Sequence, residues 1–180
     1  PGARRLGRPS VRPVWAEVDL GAISANVATL RDLVAPAAMC AVVKADGYGH
    51  GAVPSARAAL AGGADALAVA LVAEGVELRE AGIDAVVMVL SQASADEIDT
   101  LVEADLDATV YTASGVQGLA DAARRAGRSA QRPVRVHLKV DTGMHRVGVQ
   151  PEDAVELAQT VVAEPALDLR SVFTHCAVAD

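Results

Sequence analysis

Two lysines stand among the sixteen basic residues of this chain, Lys44 and Lys139, and each closes an apolar run. The other fourteen are arginine. A lysine can lose its proton, act as a base and form a Schiff base, whereas an arginine stays charged. In a chain so biased toward arginine, the retained amines mark positions where that chemistry is wanted.

Lys44 leads directly into Ala45-Asp46-Gly47-Tyr48-Gly49-His50-Gly51, with glycine at alternate positions. Such glycines let a backbone approach an anion closely, and the helix start expected at Ala52 favours negative charge. Tyr48, four residues past the lysine, offers a phenol to the same anion. One segment thus combines an amine with an anion cradle, which suits a ligand carrying an aldehyde and a phosphate, such as pyridoxal 5'-phosphate. The same residues also read as a Gly-rich strand-to-helix turn with a solvent-facing lysine.

Six apolar runs must position these groups: residues 40–44, 66–70, 85–90, 108–111, 134–140 and 169–174. Each is continuous, as in parallel strands buried on both faces. Helices are expected between them, over 22–34, 52–62, 72–81, 95–104, 114–126 and 152–163. Gly62-Gly63, Gly82 and Gly127 fall where C-caps belong, and Ser94 and Ser114 where N-caps belong. Pro151 suits a first helical turn. Alternation in Trp15-Ala16-Glu17-Val18-Asp19 predicts a separate strand.

Strand followed by helix, repeated, implies an α/β fold, either an open doubly wound sheet or a (β/α)8 TIM-type barrel. Lys44, Lys139 and His175 sit at the carboxyl ends of their runs, where barrels carry their chemistry. No G-x-G-x-x-G opens the first turn, which weakens a dinucleotide reading. A closed barrel needs about eight strands. With six runs, no initiator methionine and an end at Asp180, the chain is expected to be part of a longer protein, cut after about six strands.

Composition narrows the functions. Aromatics are 2% against 52% hydrophobic residues overall, so the core must be built from Ala, Val and Leu. A net charge of -7 argues against nucleic acid as a partner. No apolar run reaches the roughly 18 residues of a membrane helix. Cys40 and Cys176 lie in apolar stretches and read as small core residues in a reducing, cytoplasmic setting rather than a disulfide. No His, Cys, Asp and Glu spacing suits a metal. Residues 1–13 read as a flexible tail. His50 is expected either to cap the next helix or to touch ligand, and His145 to lie at the surface. His137, alternating with Arg135 and Lys139, is a candidate to point into a barrel.

The segment Val42-Val43-Lys44-Ala45-Asp46-Gly47-Tyr48-Gly49-His50-Gly51 resembles the cofactor-attachment motif of bacterial alanine racemases. Lys139-Val140-Asp141-Thr142-Gly143-Met144-His145-Arg146-Val147-Gly148 is similar to a second motif of that family, Thr174-His175-Cys176-Ala177-Val178-Ala179-Asp180 to a third, and Trp15-Ala16-Glu17-Val18-Asp19-Leu20 to its N-terminal signature. The resemblance runs over residues 14–180 and implies an N-terminal barrel portion without the family's C-terminal β domain. It implies that Lys44 carries pyridoxal phosphate as a Schiff base and serves as one of two catalytic bases. Tyr48 would touch the phosphate, and His175 would lie beside the ring. Val42 and Leu90 would line the pocket. Arg146 would bind the cofactor's phenolic oxygen and help place substrate. Lys139 would be carbamylated, an N6-carboxylysine that orients Arg146. The implied reaction is racemisation of L- and D-alanine by a cytoplasmic homodimer, supplying D-alanine for peptidoglycan. The second base would be a tyrosine of the β domain, with the chain alone inactive. Cys176 and Val178 depart from the usual aromatic and small polar residue of the third motif. Alternatives are a non-catalytic pyridoxal-phosphate homeostasis protein on the same barrel, a racemase of broader specificity, and a Schiff-base aldolase.

Overall fold

The computed structural model describes residues 15–178, so the tail expected over 1–13 and the last two residues of the third motif lie outside the described residues. Every apolar run contains a strand. In chain order the elements are α1 (Leu20–Val34), β1 (Cys40–Val42), the single turn α2 (Lys44–Tyr48), α3 (Ala52–Ala61), β2 (Ala66–Val69), α4 (Val72–Glu80), β3 (Val86–Val89), α5 (Ile98–Glu103), β4 (Ala108–Val110), α6 (Ala113–Arg125), β5 (Val134–Val140), a 3-10 turn (Pro151–Asp153), α7 (Ala154–Val162) and β6 (Leu167–Thr174).

All strand pairs are parallel and follow chain order, β1-β2-β3 and β4-β5-β6. A bridge between Met88 and Asp107 joins the two halves, with Val89 N–H donating to Asp107 O at 3.0 Å and Asp107 N–H to Val87 O at 2.9 Å. The result is a wall of six strand–helix units. Among the described residues β1 and β6 share no ladder, so the wall is open there.

Period-two alternation sorts the strands into two faces. Outward side chains Leu67, Val69, Val87, Val89, Val110, Val136 and Leu138 are buried under the helices. The helices return Ala56, Ala59, Ala120 and Ala123, also buried. Alanine lets helices lie close to the sheet, which is how a core with so few aromatics packs densely. The inward face carries the unlike residues, Val42, Lys44, Thr109, Arg135, His137 and Lys139, and it positions the chemistry.

Several local expectations are corrected. Residues 15–19 form no strand: Trp15 is 78% exposed, and the Asp19 carboxylate instead caps α1, accepting from Gly21 N–H at 2.8 Å and Ala22 N–H at 3.2 Å. A strand needs a neighbour for its amides, and among the described residues none pairs with this segment. The N-cap of α6 is Thr112, not Ser114; its hydroxyl accepts from Gly115 N–H at 3.0 Å. Ser94 opens a turn before α5 rather than capping it, its carbonyl accepting from the amides of Glu97 and Ile98. Gly63, Gly82 and Gly127 do take left-handed conformations just past helix ends. Cys40 and Cys176 are free thiols, exposed rather than in the core as read from their apolar stretches; Cys40 lies on the inward face of the open wall.

Candidate active site

Lys44 stands at the carboxyl end of β1, and the chain then reverses its hand. Ala45 (φ 52, ψ 53), Asp46 (φ 51, ψ 46), Gly47 (φ 60, ψ 37) and Tyr48 (φ 56) make one left-handed turn. Each L-residue there costs roughly 1–2 kcal/mol, so three non-glycines need support from their surroundings. Asp46 supplies part of it: its carbonyl accepts from Gly49 N–H at 3.0 Å and Gly51 N–H at 2.8 Å, and its carboxylate from Ala52 N–H at 2.8 Å. Gly47 has to be glycine, since a Cβ would stand 2.8 Å from Ser55 Oγ. The Glu74 carboxylate accepts from Ala45 N–H at 2.6 Å.

This geometry overturns the anion cradle expected of the loop. The amides of Gly47, Gly49, His50 and Gly51 all donate to loop or strand carbonyls. The positive end of α3 already faces the Asp46 carboxylate. An incoming anion would find these donors occupied. The Tyr48 side chain is 59% exposed, and Lys44 Nζ lies 6.0 Å from its ring centroid. His50 belongs to the loop itself, its Nδ1 lying 2.8 Å from Gly47 O.

Lys139, on the inward face of β5, is 6% exposed, and its Nζ rests 5.5 Å from the Phe173 ring centroid. Burial pushes the pKa of this amine down, the positive charges of Arg146 and Lys44 push it further, and Asp141 opposes them. Lys44 and Arg146 thus both bear electrostatically on Lys139.

Arg146 is exposed on a loop that Asp141 organises. The buried Asp141 carboxylate accepts from Gly143 N–H and His145 N–H, each at 3.0 Å, and these bonds hold its pKa below the usual carboxylate value. The loop closes where Val149 N–H donates to Lys139 O and Asp141 N–H to Val149 O, both at 2.9 Å. Thr174 Oγ1 donates to Val140 O at 2.8 Å and pairs with Thr142 Oγ1 at 2.7 Å, tying the loop to the end of β6 beside His175. Val42, 40% exposed, and half-buried Leu90 flank the same edge. His145 is a surface residue, its side chain 80% exposed.

Two features escaped the sequence reading, the Asp107 carboxylate that holds Arg135 and His137 and the fork of bonds made by Arg79. Below the lysines, buried Asp107 receives Arg135 Nε–H at 2.5 Å and holds His137 Nε2 at 3.1 Å, while His137 Nδ1 lies 2.7 Å from Ser171 Oγ. His137 thus does point inward, and the alternation Arg135-His137-Lys139 was its signal. At the opposite end, Arg79 donates to the carbonyls of Ile83, Ala85, Ala104 and Asp105; a single arginine on a helix leaves no such signal. Among the described residues, no His, Cys, Asp and Glu group could hold a metal, and no helix is long and apolar enough to cross a membrane.

The architecture and the sequence both have close counterparts. Alanine racemase of Symbiobacterium thermophilum is 45% identical over 170 residues, covering 94% of this chain and 44% of that protein. Alanine racemase of Thermobifida fusca is 45% identical over 168 residues, covering 92% and 44%. The crystal structure of alanine racemase from a D-cycloserine-producing Streptomyces lavendulae superposes with a TM-score of 0.81 at 40% identity, over 91% of this chain and 42% of that one. The Bacillus anthracis enzyme with bound L-Ala-P gives a TM-score of 0.81 at 34% identity, over 94% and 43%. The chain spans less than half the length of the curated relatives it matches. Residues 18–180 match the family model described as alanine racemase, N-terminal domain, and the chain belongs to that family.

Proposed function

We propose that the full chain interconverts L- and D-alanine, using pyridoxal 5'-phosphate held on Lys44. The observation that carries this reading is a buried Lys139 amine on the inward face that feels the charges of both Lys44 and Arg146, with Lys44 itself at the carboxyl end of β1 against Tyr48. The donor set fits one end of the cofactor: a nucleophilic amine, a phenol within reach of the same ligand, and a permanent cation. It does not include a ring of free amides, so Tyr48 is the phosphate contact this segment offers.

When bound, pyridoxal phosphate supplies an electron sink for the charge left on the α carbon as its proton departs. Lys44 Nζ accepts or returns that proton on one face of the substrate. Arg146 holds an acidic oxygen of the cofactor and helps orient the substrate. His175 would lie beside the bound group, and Val42 and Leu90 would shield its reacting end from water. Lys139, favoured in its neutral form by burial, adds to carbon dioxide with release of a proton. The carbamate so formed pairs with Arg146 through charge-assisted hydrogen bonds. Racemisation needs a proton donor and acceptor on both faces. The opposing base belongs to the rest of the full chain, brought in across a homodimer, as do the strands that complete an eight-strand barrel.

Borohydride reduction of the cofactor-loaded full chain, followed by peptide mapping, tests the anchor. The adduct is expected on the peptide containing Lys44, and Lys44→Ala should abolish both adduct and racemisation. An adduct on Lys139 alone, or none, would sink the assignment.

A further inference from the structure

We propose that Glu74 is a positioning residue for Lys44: its carboxylate grips the amide that follows the lysine and so sets the direction in which the Lys44 side chain leaves β1. The proposal rests on the reading of Lys44 as the cofactor anchor.

Glu74 lies 29 residues from Ala45, on the first turn of α4, and its two oxygens serve two different strand ends. Oε1 accepts from Ala45 N–H at 2.6 Å. Oε2 accepts from Ala70 N–H at 2.8 Å and Leu71 N–H at 3.0 Å. Capping of α4 accounts for the bonds to Ala70 and Leu71, since a glutamate in a first turn commonly reaches back in this way. It does not account for Ala45, which belongs to neither α4 nor β2. That third bond is the shortest of the three.

The Ala45 N–H and the Lys44 carbonyl are parts of one rigid peptide plane. Holding the donor fixes the plane, and the plane fixes the backbone from which the Lys44 side chain projects. Such a clamp is needed here because Ala45 opens the left-handed turn at φ 52, in a region an alanine leaves readily when unsupported. Asp46 secures the far end of the turn through Gly49, Gly51 and Ala52. At the lysine end Val43 is held by Gly47 N–H at 3.0 Å and by Ala68 O at 2.9 Å, and the bond from Ala45 N–H to Glu74 is the side-chain tie on the peptide that follows the lysine. A glutamine keeps one acceptor oxygen and cannot serve both strand ends.

The test compares full-chain Glu74→Gln, the double variant Glu74→Gln with Ala45→Gly, and Thr112→Ala, which removes the cap of α6, three strands along the sheet from β1. Three readouts are taken: the rate at which cofactor-free protein forms a borohydride-trappable adduct with pyridoxal phosphate on Lys44, kcat against KM for alanine, and Tm. Glu74→Gln is expected to slow adduct formation and lower kcat by about ten-fold to a hundred-fold, as misplacement of a reacting group does, with a smaller change in KM. Ala45→Gly should recover part of both losses, because glycine takes the left-handed conformation without strain. Thr112→Ala should lower Tm and leave the Lys44 chemistry alone. If Glu74→Gln folds too poorly to assay, the double variant is read directly against wild type and should react more slowly. Glu74 variants that lose Tm as Thr112→Ala does, while adduct rate and kcat hold, would overturn the proposal and leave the anchor intact. A wild-type chain that forms no adduct on Lys44 would overturn the anchor reading itself, and the proposal with it.

Discussion

A methyl group at Gly148 should separate the Arg146 loop from the strand that carries Lys139. Gly148 sits at φ +144, and a Cβ there would lie 2.5 Å from Asp141 N, 2.9 Å from Val140 C and 3.0 Å from Asp141 Cα. All three are backbone atoms, so no side chain can swing aside. To restore ordinary contact the two segments must part by roughly 1 Å, which overpacking data put at about 1–3 kcal/mol. That movement strains the bonds Val149 N–H to Lys139 O and Asp141 N–H to Val149 O, both 2.9 Å. Their weakening adds up to about 1 kcal/mol each, and the disfavoured backbone conformation about 1 kcal/mol more. Gly82 provides the control, since it has φ +76 and nothing within 4 Å of its Cβ position. Gly82→Ala therefore carries the conformational cost alone, about 1–2 kcal/mol. Thermal unfolding of both full-chain variants should show Gly148→Ala worse by about 1–5 kcal/mol, which is at least roughly 2–4 °C for a domain of this size. Alanine racemisation should fall in Gly148→Ala only, because Arg146 lies on the displaced loop. Equal Tm losses with kcat intact in both would refute the argument, showing that the loop absorbs the methyl without moving the arginine.

Burial holds the folded-state pKa of Lys139 below its ordinary 10.5, so between the two values the unfolded chain binds more protons and stability rises with pH. Lys139→Met should accordingly raise Tm at neutral pH in carbon dioxide-free buffer, with a gain that shrinks toward pH 10.5; a gain independent of pH would contradict the burial argument. Lys139→Ala should lower activity, with partial recovery on adding short carboxylates that refill the place beside Arg146; no recovery, together with no extra density on Lys139 at high resolution, would mark this lysine as structural. Arg79→Ala leaves the carbonyls of Ile83, Ala85, Ala104 and Asp105 without their shared donor and should cost about 2–4 kcal/mol in unfolding measurements. Arg79→Lys should recover little of it, since an ammonium cannot span the same fork; full recovery would show that charge, not geometry, matters there.

The order of elements and the identity of the two lysines were decided by the sequence itself. Continuous apolar runs can bury both faces only as parallel strands between helices, and the scarcity of lysine makes Lys44 and Lys139 stand out. The alternation of Arg135, His137 and Lys139 likewise placed all three on one face of β5. Other features depended on contacts that no local pattern encodes. Alternation over residues 15–19 predicted a strand, yet a strand exists only where a neighbour takes its hydrogen bonds, and Asp19 found a helix end instead. The glycines after Lys44 promised an open anion cradle, but the hand of the turn directs those amides inward, onto its own carbonyls and the Asp46 carboxylate. That hand is held from 29 residues away by Glu74. The lowered pKa of Lys139 also required the fold, because it arises first from burial and then from the charges of Arg146 and Lys44, the latter on a different strand-to-helix unit. Periodicity and residue type act through neighbours along the chain, whereas strain relief and desolvation act through space, and these were settled only when the wall of strands assembled.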